Sequence, residues 1–163
     1  MSESEKQHPT FKPKKPHQHQ ALEFPQSFLW GAATSSHQIE GWNEKNDWWK
    51  WEQQQGTIAD GQTSGRGSDH YHQYQKDFNF IDEMNLNAYR MSIEWSRINP
   101  EEGVFDEKEI QHYKDVLEDL NNRGVKVMLT LWHFTLPTWF EDKGGFTKKK
   151  NVKFFVDYVE RCA

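Results

Sequence analysis

Cysteine is nearly absent: Cys162 is the only one in 163 residues. A lone thiol excludes an intrachain disulfide framework and cannot hold a zinc ion by itself. Long apolar runs are missing too. No stretch approaches the roughly 18 apolar residues of a membrane span, and the N-terminus lacks the charged start, apolar middle and small-residue cleavage site of a secretory signal. A cytoplasmic location with no membrane partner is therefore expected. Positive charge is in short supply, with 20 Lys and Arg against 25 Asp and Glu and a net charge of −5. A nucleic-acid binder needs clustered cations to displace counterions from phosphates, so no nucleic-acid partner is expected. Phosphate-cradling glycine loops are also lacking. The stretch from Gly61 to Ser68 contains neither G-x-G-x-x-G nor G-x-x-x-x-G-K and does not follow a strand directly, which makes it a turn.

Aromatics are what the chain has in plenty. They make up 15% of it, eight of them Trp, although only 34% of residues are hydrophobic. The apolar mass is concentrated in large flat rings. Residues 1–23 stand apart: three of the six prolines, three of the eight histidines, three acids and four Lys, with no apolar period. They read as a disordered leader. Its His8, His17 and His19 are irregularly spaced with no carboxylate or thiolate between them. His70 and His72 lie two apart on a helix and diverge. No metal ion and no cofactor are expected.

Residues 24–163 read as one domain in which strand-like and helix-like runs alternate, the order of a parallel α/β sheet. The strands are expected at 28–36, 87–95 and 125–132. A first helix capped by Ser68 carries Tyr71, Tyr74, Phe78 and Ile81. A second starts at Asp106, with Glu109 in capping-box spacing and Ile110, Tyr113, Leu117 and Leu120 as its stripe, and Gly124 ends it. A third runs from about Lys149, with Val152, Phe155, Val156 and Val159 on one face. Lys148 to Lys150 at its start form a solvated face. Doubly wound sheets and (β/α)8 barrels both begin in this order. The loop of some thirty residues after the first strand belongs where ligands bind.

Certain polar residues sit oddly in that frame. In the second strand Tyr89, Met91, Ile93 and Trp95 share one face, and Ala88, Arg90, Ser92 and Glu94 share the other. A parallel strand covered on both sides is normally apolar throughout. Burying an unpaired guanidinium costs several kcal/mol, so Arg90 must be paired, solvated or both. Either it lies at the polar mouth of a barrel, or Arg90 and Glu94 serve a buried ion-pair network. The third strand delivers His133 at its carboxyl end, just before Pro137 forces the chain out of pairing. This is a structural histidine or a ligand. The first strand runs into His37, Gln38 and Glu40, so three strand ends bring polar groups to one rim. Trp42, Trp48, Trp49, Trp51, Trp132 and Trp139 lie in the adjoining loops. Hydrogen-bonding groups beside aromatic faces suit a polyhydroxylated ring; the alternative is that at least half of these Trp simply pack the loops.

The stretches Phe24-Pro25-Gln26-Ser27-Phe28-Leu29-Trp30-Gly31-Ala32-Ala33-Thr34-Ser35-Ser36-His37-Gln38-Ile39-Glu40-Gly41, Tyr89-Arg90-Met91-Ser92-Ile93-Glu94-Trp95-Ser96-Arg97-Ile98 and Thr130-Leu131-Trp132-His133-Phe134-Thr135-Leu136-Pro137 closely resemble the N-terminal third of the glycoside hydrolase family 1 enzymes, retaining β-glucosidases and β-galactosidases. The resemblance spans about residues 24–160. It implies the first three βα units of a (β/α)8 TIM barrel, incomplete here because roughly 250 residues are typical of the whole. It implies a β-linked di- or oligosaccharide or another β-glycoside as substrate. Gln38 and His133 would hydrogen-bond sugar hydroxyls, and Arg90 would brace the nucleophilic carboxylate. Many members carry Trp and Asp after the histidine, where Phe134 and Thr135 stand here. Retaining glycosidases use two carboxyl groups, which this family carries in Asn-Glu-Pro and Glu-Asn-Gly motifs. Neither tripeptide occurs in the chain. No catalytic residue is therefore assigned in these 163 residues, and the chain alone is expected to be inactive. A non-catalytic carbohydrate-binding fragment and a half-barrel that assembles with another chain are the alternatives.

Overall fold

The computed structural model describes residues 23–163. The leader expected over 1–23, with its three histidines, lies outside the described residues but for Glu23. Three short strands, β1 (Gly31–Ala33), β2 (Ala88–Ser92) and β3 (Lys126–Thr130), form one parallel sheet in the order β1-β2-β3. Gly31 pairs with Ala88, and Ala88 with Lys126. Between β1 and β2 lie helices α1 (Ser36–Ile39), α2 (Asp47–Glu52), α3 (His70–Asp77) and α4 (Asn79–Glu83). Between β2 and β3 lie α5 (Trp95–Ile98) and α6 (Glu107–Asn122), and after β3 come α7 (Thr138–Asp142) and α8 (Val152–Cys162).

β1 is much shorter than the expected 28–36. Phe28, Leu29 and Trp30 are exposed and stay out of the sheet. Small residues take the pairing because β1 runs close to its neighbour: a Cβ on Gly31 would come within 2.6 Å of the Ala88 carbonyl oxygen. Beyond Ala33 the chain turns into α1, which places Ser36 at the start of a helical turn rather than at the end of a strand, with Gln38 on the same turn. β2 keeps the expected alternation, with Tyr89 and Met91 buried in the core, but it ends at Ser92.

The core lies between β2 and the helices, built from Phe78, Ile81, Tyr89, Met91, Ile110, Tyr113, Val116 and Leu120. The helix expected after Ser68 is two pieces broken at Phe78, and its N-cap is Asp69, held at φ 57°. α6 begins as expected: the Asp106 carboxylate accepts from the N–H groups of Lys108 and Glu109. The reciprocal half of the capping box is missing, because Glu109 turns away to the Tyr71 hydroxyl, 3.2 Å distant. Leu117 packs half-buried against the core as expected, and Val116 beside it is fully buried. At the far end Gly124 adopts φ 73°, the Gly124 N–H bonds the Asn121 carbonyl, and the Val125 N–H bonds that of Leu120. That pair of bonds closes the helix and starts β3 at once.

α8 is rotated from its expected face. Val152 and Val156 are exposed, while Tyr158 is buried and Phe154, Phe155 and Val159 pack against the core. The cause is Trp95, 1% exposed, whose ring stacks on Tyr158 at 5.0 Å and tilts against Phe140 at 4.7 Å. Large flat rings bury more area than valines and win the inner face. Among the described residues no helix is long and apolar enough to cross a membrane, and no group of three potential metal ligands is present.

Candidate functional site

Because the strands are parallel and adjacent, their carboxyl ends deliver three loops to one rim. From β2, the Arg90 guanidinium donates from Nη1 to the Thr34 carbonyl at 3.1 Å and lies 3.4 Å from His133 Nδ1. Arg90 and Glu94 form no ion pair, so the buried network considered above is not what Arg90 serves. A guanidinium only donates, so Nδ1 of His133 accepts and its proton sits on Nε2. Arg90 and His133 are both half-buried. Gln38 is exposed on α1, and its side-chain oxygen takes the Ser35 hydroxyl at 3.4 Å. The structure thus joins two of the three expected site residues directly and places the third on the neighbouring loop.

Immediately beyond His133, Phe134 sits at φ 69° and is 65% exposed. Its ring lies nearly parallel to that of Trp48, centroids 6.1 Å apart. Of the six loop Trp, four (Trp42, Trp48, Trp51 and Trp132) are exposed, and Trp49 and Trp139 are half-buried. Trp132 and Trp139 pack on Phe146 and Phe154 and bond loop carbonyls through their indole N–H groups, whereas Trp42, Trp48 and Trp51 leave about half of their surface free. Trp48 and Trp51 also line an open cleft of about 610 Å³ with Asp47, Lys50, Gln54 and Glu141.

Several residues that the sequence reading did not single out hold this rim in shape. Asn46, fully buried, caps α2 by accepting the Trp49 N–H and donates its amide to His37 Nδ1 at 3.0 Å. The opposite ring nitrogen, Nε2, donates to Glu52 at 3.2 Å, and Glu52 accepts the Ser64 N–H at 2.6 Å. The same segment is laid along the loop after β3: the Asp47 N–H bonds the Leu136 carbonyl, and the Leu136 N–H bonds the Asp47 carboxylate. Burial is the main cause that raises the Asp47 carboxyl above its ordinary range. An Asn directly before a tryptophan-rich helix is the one readable signal, as an N-cap. Glycine fits the close approach of the first long loop at Gly41, φ 81°, where a Cβ would meet the Arg66 carbonyl oxygen at 2.0 Å.

Glu40, only 4% exposed, anchors the base of the first loop. Its carboxylate takes hydrogen bonds from Arg97 at 3.1 Å, Tyr113 at 2.9 Å and Asn43 at 3.2 Å. Burial pushes its pKa up to about 7, against the opposing pull of the Arg97 charge. His112, stacked on Tyr71 at 3.8 Å, goes the other way: desolvation first, then Arg97, lower it to about 4. The signs of the two effects on stability are opposite. Glu40 keeps a proton in the fold that the unfolded chain has lost, so stability falls as pH rises from 4.5 to about 7, by a ceiling of about 3 kcal/mol. His112 releases a proton in the fold that the unfolded chain retains, so stability rises from about pH 4 to 6.5. The urea midpoint of the native chain is therefore expected to be nearly flat between pH 4.5 and 6.5. A His112→Asn variant should show a midpoint that falls steadily across that range. A flat profile in the variant contradicts the assignment for Glu40.

With this geometry in hand, comparison with known proteins decides the family. The model of glycosyl hydrolase family 1 matches residues 20–163. The chain belongs to glycosyl hydrolase family 1. It is 37% identical over 145 residues to Beta-glucosidase A of Acetivibrio thermocellus, covering 85% of this chain and 32% of that protein. Against Beta-glucosidase 42 of Arabidopsis thaliana the identity is 38% over 148 residues, covering 85% and 30%. A solved structure, the beta-glycosidase from Pyrococcus horikoshii, superposes with a TM-score of 0.77 at 43% identity, covering 86% of this chain and 32% of that one. The chain thus spans about a third of the length of these family 1 relatives. The resemblance read from the three sequence stretches is the family that the match shows.

Proposed function

We propose that residues 24–163 are the N-terminal part of a retaining β-glycosidase of the β-glucosidase type, which hydrolyses terminal β-linked sugars. Their three parallel strands would be the first units of a (β/α)8 barrel. The observation that carries the reading is the contact of Arg90 with His133 at the rim, beside exposed aromatic rings, in a chain of this family. His133 Nε2 and the Gln38 amide supply hydrogen bonds to sugar hydroxyls. The exposed face of Phe134, or of Trp48, suits the C–H face of the ring. Arg90, with no carboxylate partner in these residues, is placed to brace a nucleophilic carboxylate contributed from elsewhere in the complete enzyme. The two carboxyl groups of a retaining mechanism, about 5–5.5 Å apart, would both come from that remainder. The substrate would be a β-linked di- or oligosaccharide or another β-glycoside.

The 163-residue chain by itself is expected to release no nitrophenol from nitrophenyl β-glucoside or β-galactoside. A chimaera that joins residues 24–163 to the rest of the Acetivibrio β-glucosidase should be active. His133→Ala and Gln38→Ala in that chimaera should each lower kcat/KM by about 10- to 100-fold, the value of one or two hydrogen bonds that strengthen in the transition state. Turnover by the 163-residue chain that Glu94→Gln abolishes would make Glu94 catalytic and overturn the reading.

A further inference from the structure

Glu94 is fully buried, yet all four of its side-chain contacts come from hydroxyls: Ser36 at 3.0 Å, Ser96 at 2.7 Å and Thr135 at 3.0 and 3.2 Å. Those hydroxyls belong to the loops that follow three different strands. We infer that Glu94 is a positioning residue, whose carboxylate clamps the turn at His133 to the helix that carries Gln38 and so sets the spacing of the two sugar-binding groups. The inference rests on the sugar-site reading proposed above, and it adds a residue to which that reading gives no role.

The turn at His133 is strained. The Thr135 N–H bonds the His133 carbonyl at 2.9 Å across Phe134, whose φ is 69°. A three-residue turn with a positive central φ is the rare, strained form, and a bulky side chain there is held only when its surroundings over-determine it. Phe134 itself offers little hold, being mostly exposed. Thr135 is 3% exposed, and both contacts of its hydroxyl are with Glu94. Its carbonyl is fixed separately by the Trp132 indole N–H at 3.1 Å. The turn that aims His133 is thus tied down at the residue after the strained one.

The other arm of the clamp reaches α1 through a relay of hydroxyls. The Ser36 N–H donates to Ser92 Oγ at 2.8 Å, the Ser92 hydroxyl donates to Ser36 Oγ at 3.1 Å, and the Ser36 hydroxyl donates to Glu94. Ser36 opens α1 two residues before Gln38. A carboxylate only accepts and has room for about four donors; the three hydroxyls fill most of it, that of Thr135 shared between the two oxygens. A glutamine would keep only one acceptor oxygen, so at least one hydroxyl proton would lose its acceptor, and an alanine would leave all of the hydroxyls without one.

Amide hydrogen exchange on the 163-residue chain tests the clamp without calling on catalysis. In Glu94→Ala, exchange should quicken at least tenfold in residues 34–41 and 133–138 and change less than twofold in α6. A double variant, Glu94→Ser with Thr135→Asp, moves the carboxylate to the far side of the same hydrogen bond and should restore protection to within threefold. Glu94→Gln, close in shape, should give the same two-segment pattern more weakly and serves if the alanine variant does not fold. In the chimaera, Glu94→Gln should raise KM for nitrophenyl β-glucoside about tenfold, and the double variant should recover it. Exchange that is unchanged, or that quickens uniformly across α6 as well, overturns the clamp, as does a loss that the double variant fails to recover. An inactive parent chimaera instead overturns the glycosidase reading, and the exchange measurement stands apart from it.

Discussion

Replacing Arg97 with alanine is expected to lower the free energy of unfolding by about 2–3 kcal/mol at pH 8 and by about 1–2 kcal/mol at pH 5, since with the Glu40 pKa at about 7 the charge-dependent part cannot exceed about 1.4 kcal/mol at pH 8. Removing one partner of a buried pair leaves the other charge uncompensated, which is the origin of the larger figure. Arg97 does three things at once: its Nε donates to Glu40 at 3.1 Å, its Nη2 donates to the Gly41 carbonyl, and its guanidinium carbon stands 4.4 Å over the Tyr71 ring. Only the first depends on the charge of Glu40. With Arg97 gone, the force that opposes desolvation disappears and the Glu40 pKa rises beyond about 7. At pH 5 Glu40 then enters the fold neutral, and the cost shrinks to the lost packing, carbonyl bond and cation–π contact, about 1–2 kcal/mol. Urea denaturation at the two pH values reads the difference directly. Equal losses at both would mean that packing over Tyr71, and not the pair with Glu40, is what Arg97 contributes.

The parts of the fold that were legible in the sequence are those in which a period coincides with burial inside the described residues. β2 and α6 are of that kind: Tyr89 and Met91 alternate, and Ile110, Tyr113 and Leu120 recur at helical spacing with Asp106 and Gly124 at the ends. β1 is shorter than its pattern suggests because Phe28-Leu29-Trp30 carries a strong strand signal while those side chains remain exposed, and the pairing falls on the small residues that follow. The face of α8 was misjudged for a related reason. Phe155 and Val159 of the expected stripe do pack against the core, but Val152 and Val156 yield to Tyr158, which meets Trp95, whose position only the tertiary fold sets.

At the site, the strand ends pointed to Arg90, His133 and Gln38 on one rim. The partners of Glu94 were beyond reach, since Ser36 and Thr135 lie 58 and 41 residues away in the chain and a single hydroxyl has no pattern. The strand alternation also suggests that Arg90 and Glu94, four residues apart on one strand face, belong to one ion-pair network. Instead β2 ends at Ser92, Glu94 takes the N-cap position of α5, and each finds its partners in a different loop. An ion-pair reading fails here because the strand does not continue far enough to keep the two side chains on one face.

Trp95→Ala is the substitution expected to damage the fold most from within, at about 3–5 kcal/mol. The ring touches two other helices and the end of its own: it stacks on Tyr158 of α8, tilts against Phe140 of α7, and its Nε1–H reaches Asn99, which caps α5, at 3.4 Å. A hole there is walled by rings that cannot collapse into it without losing their own edge contacts, which places the cost toward the upper end of the range. The damage should also reach the site. The Tyr158 hydroxyl donates to the Leu131 carbonyl at 2.8 Å, two residues before His133, so a loosened Tyr158 frees the end of β3. Small domains have stabilities of only about 5–15 kcal/mol, so the alanine variant should be substantially unfolded at 37 °C, and Trp95→Phe should cost no more than about half as much. Near-ultraviolet circular dichroism and thermal melts distinguish the outcomes. If Trp95→Ala melts with the native chain and keeps its near-ultraviolet signal, the aromatic cluster is filler, and the rotation of α8 needs another cause.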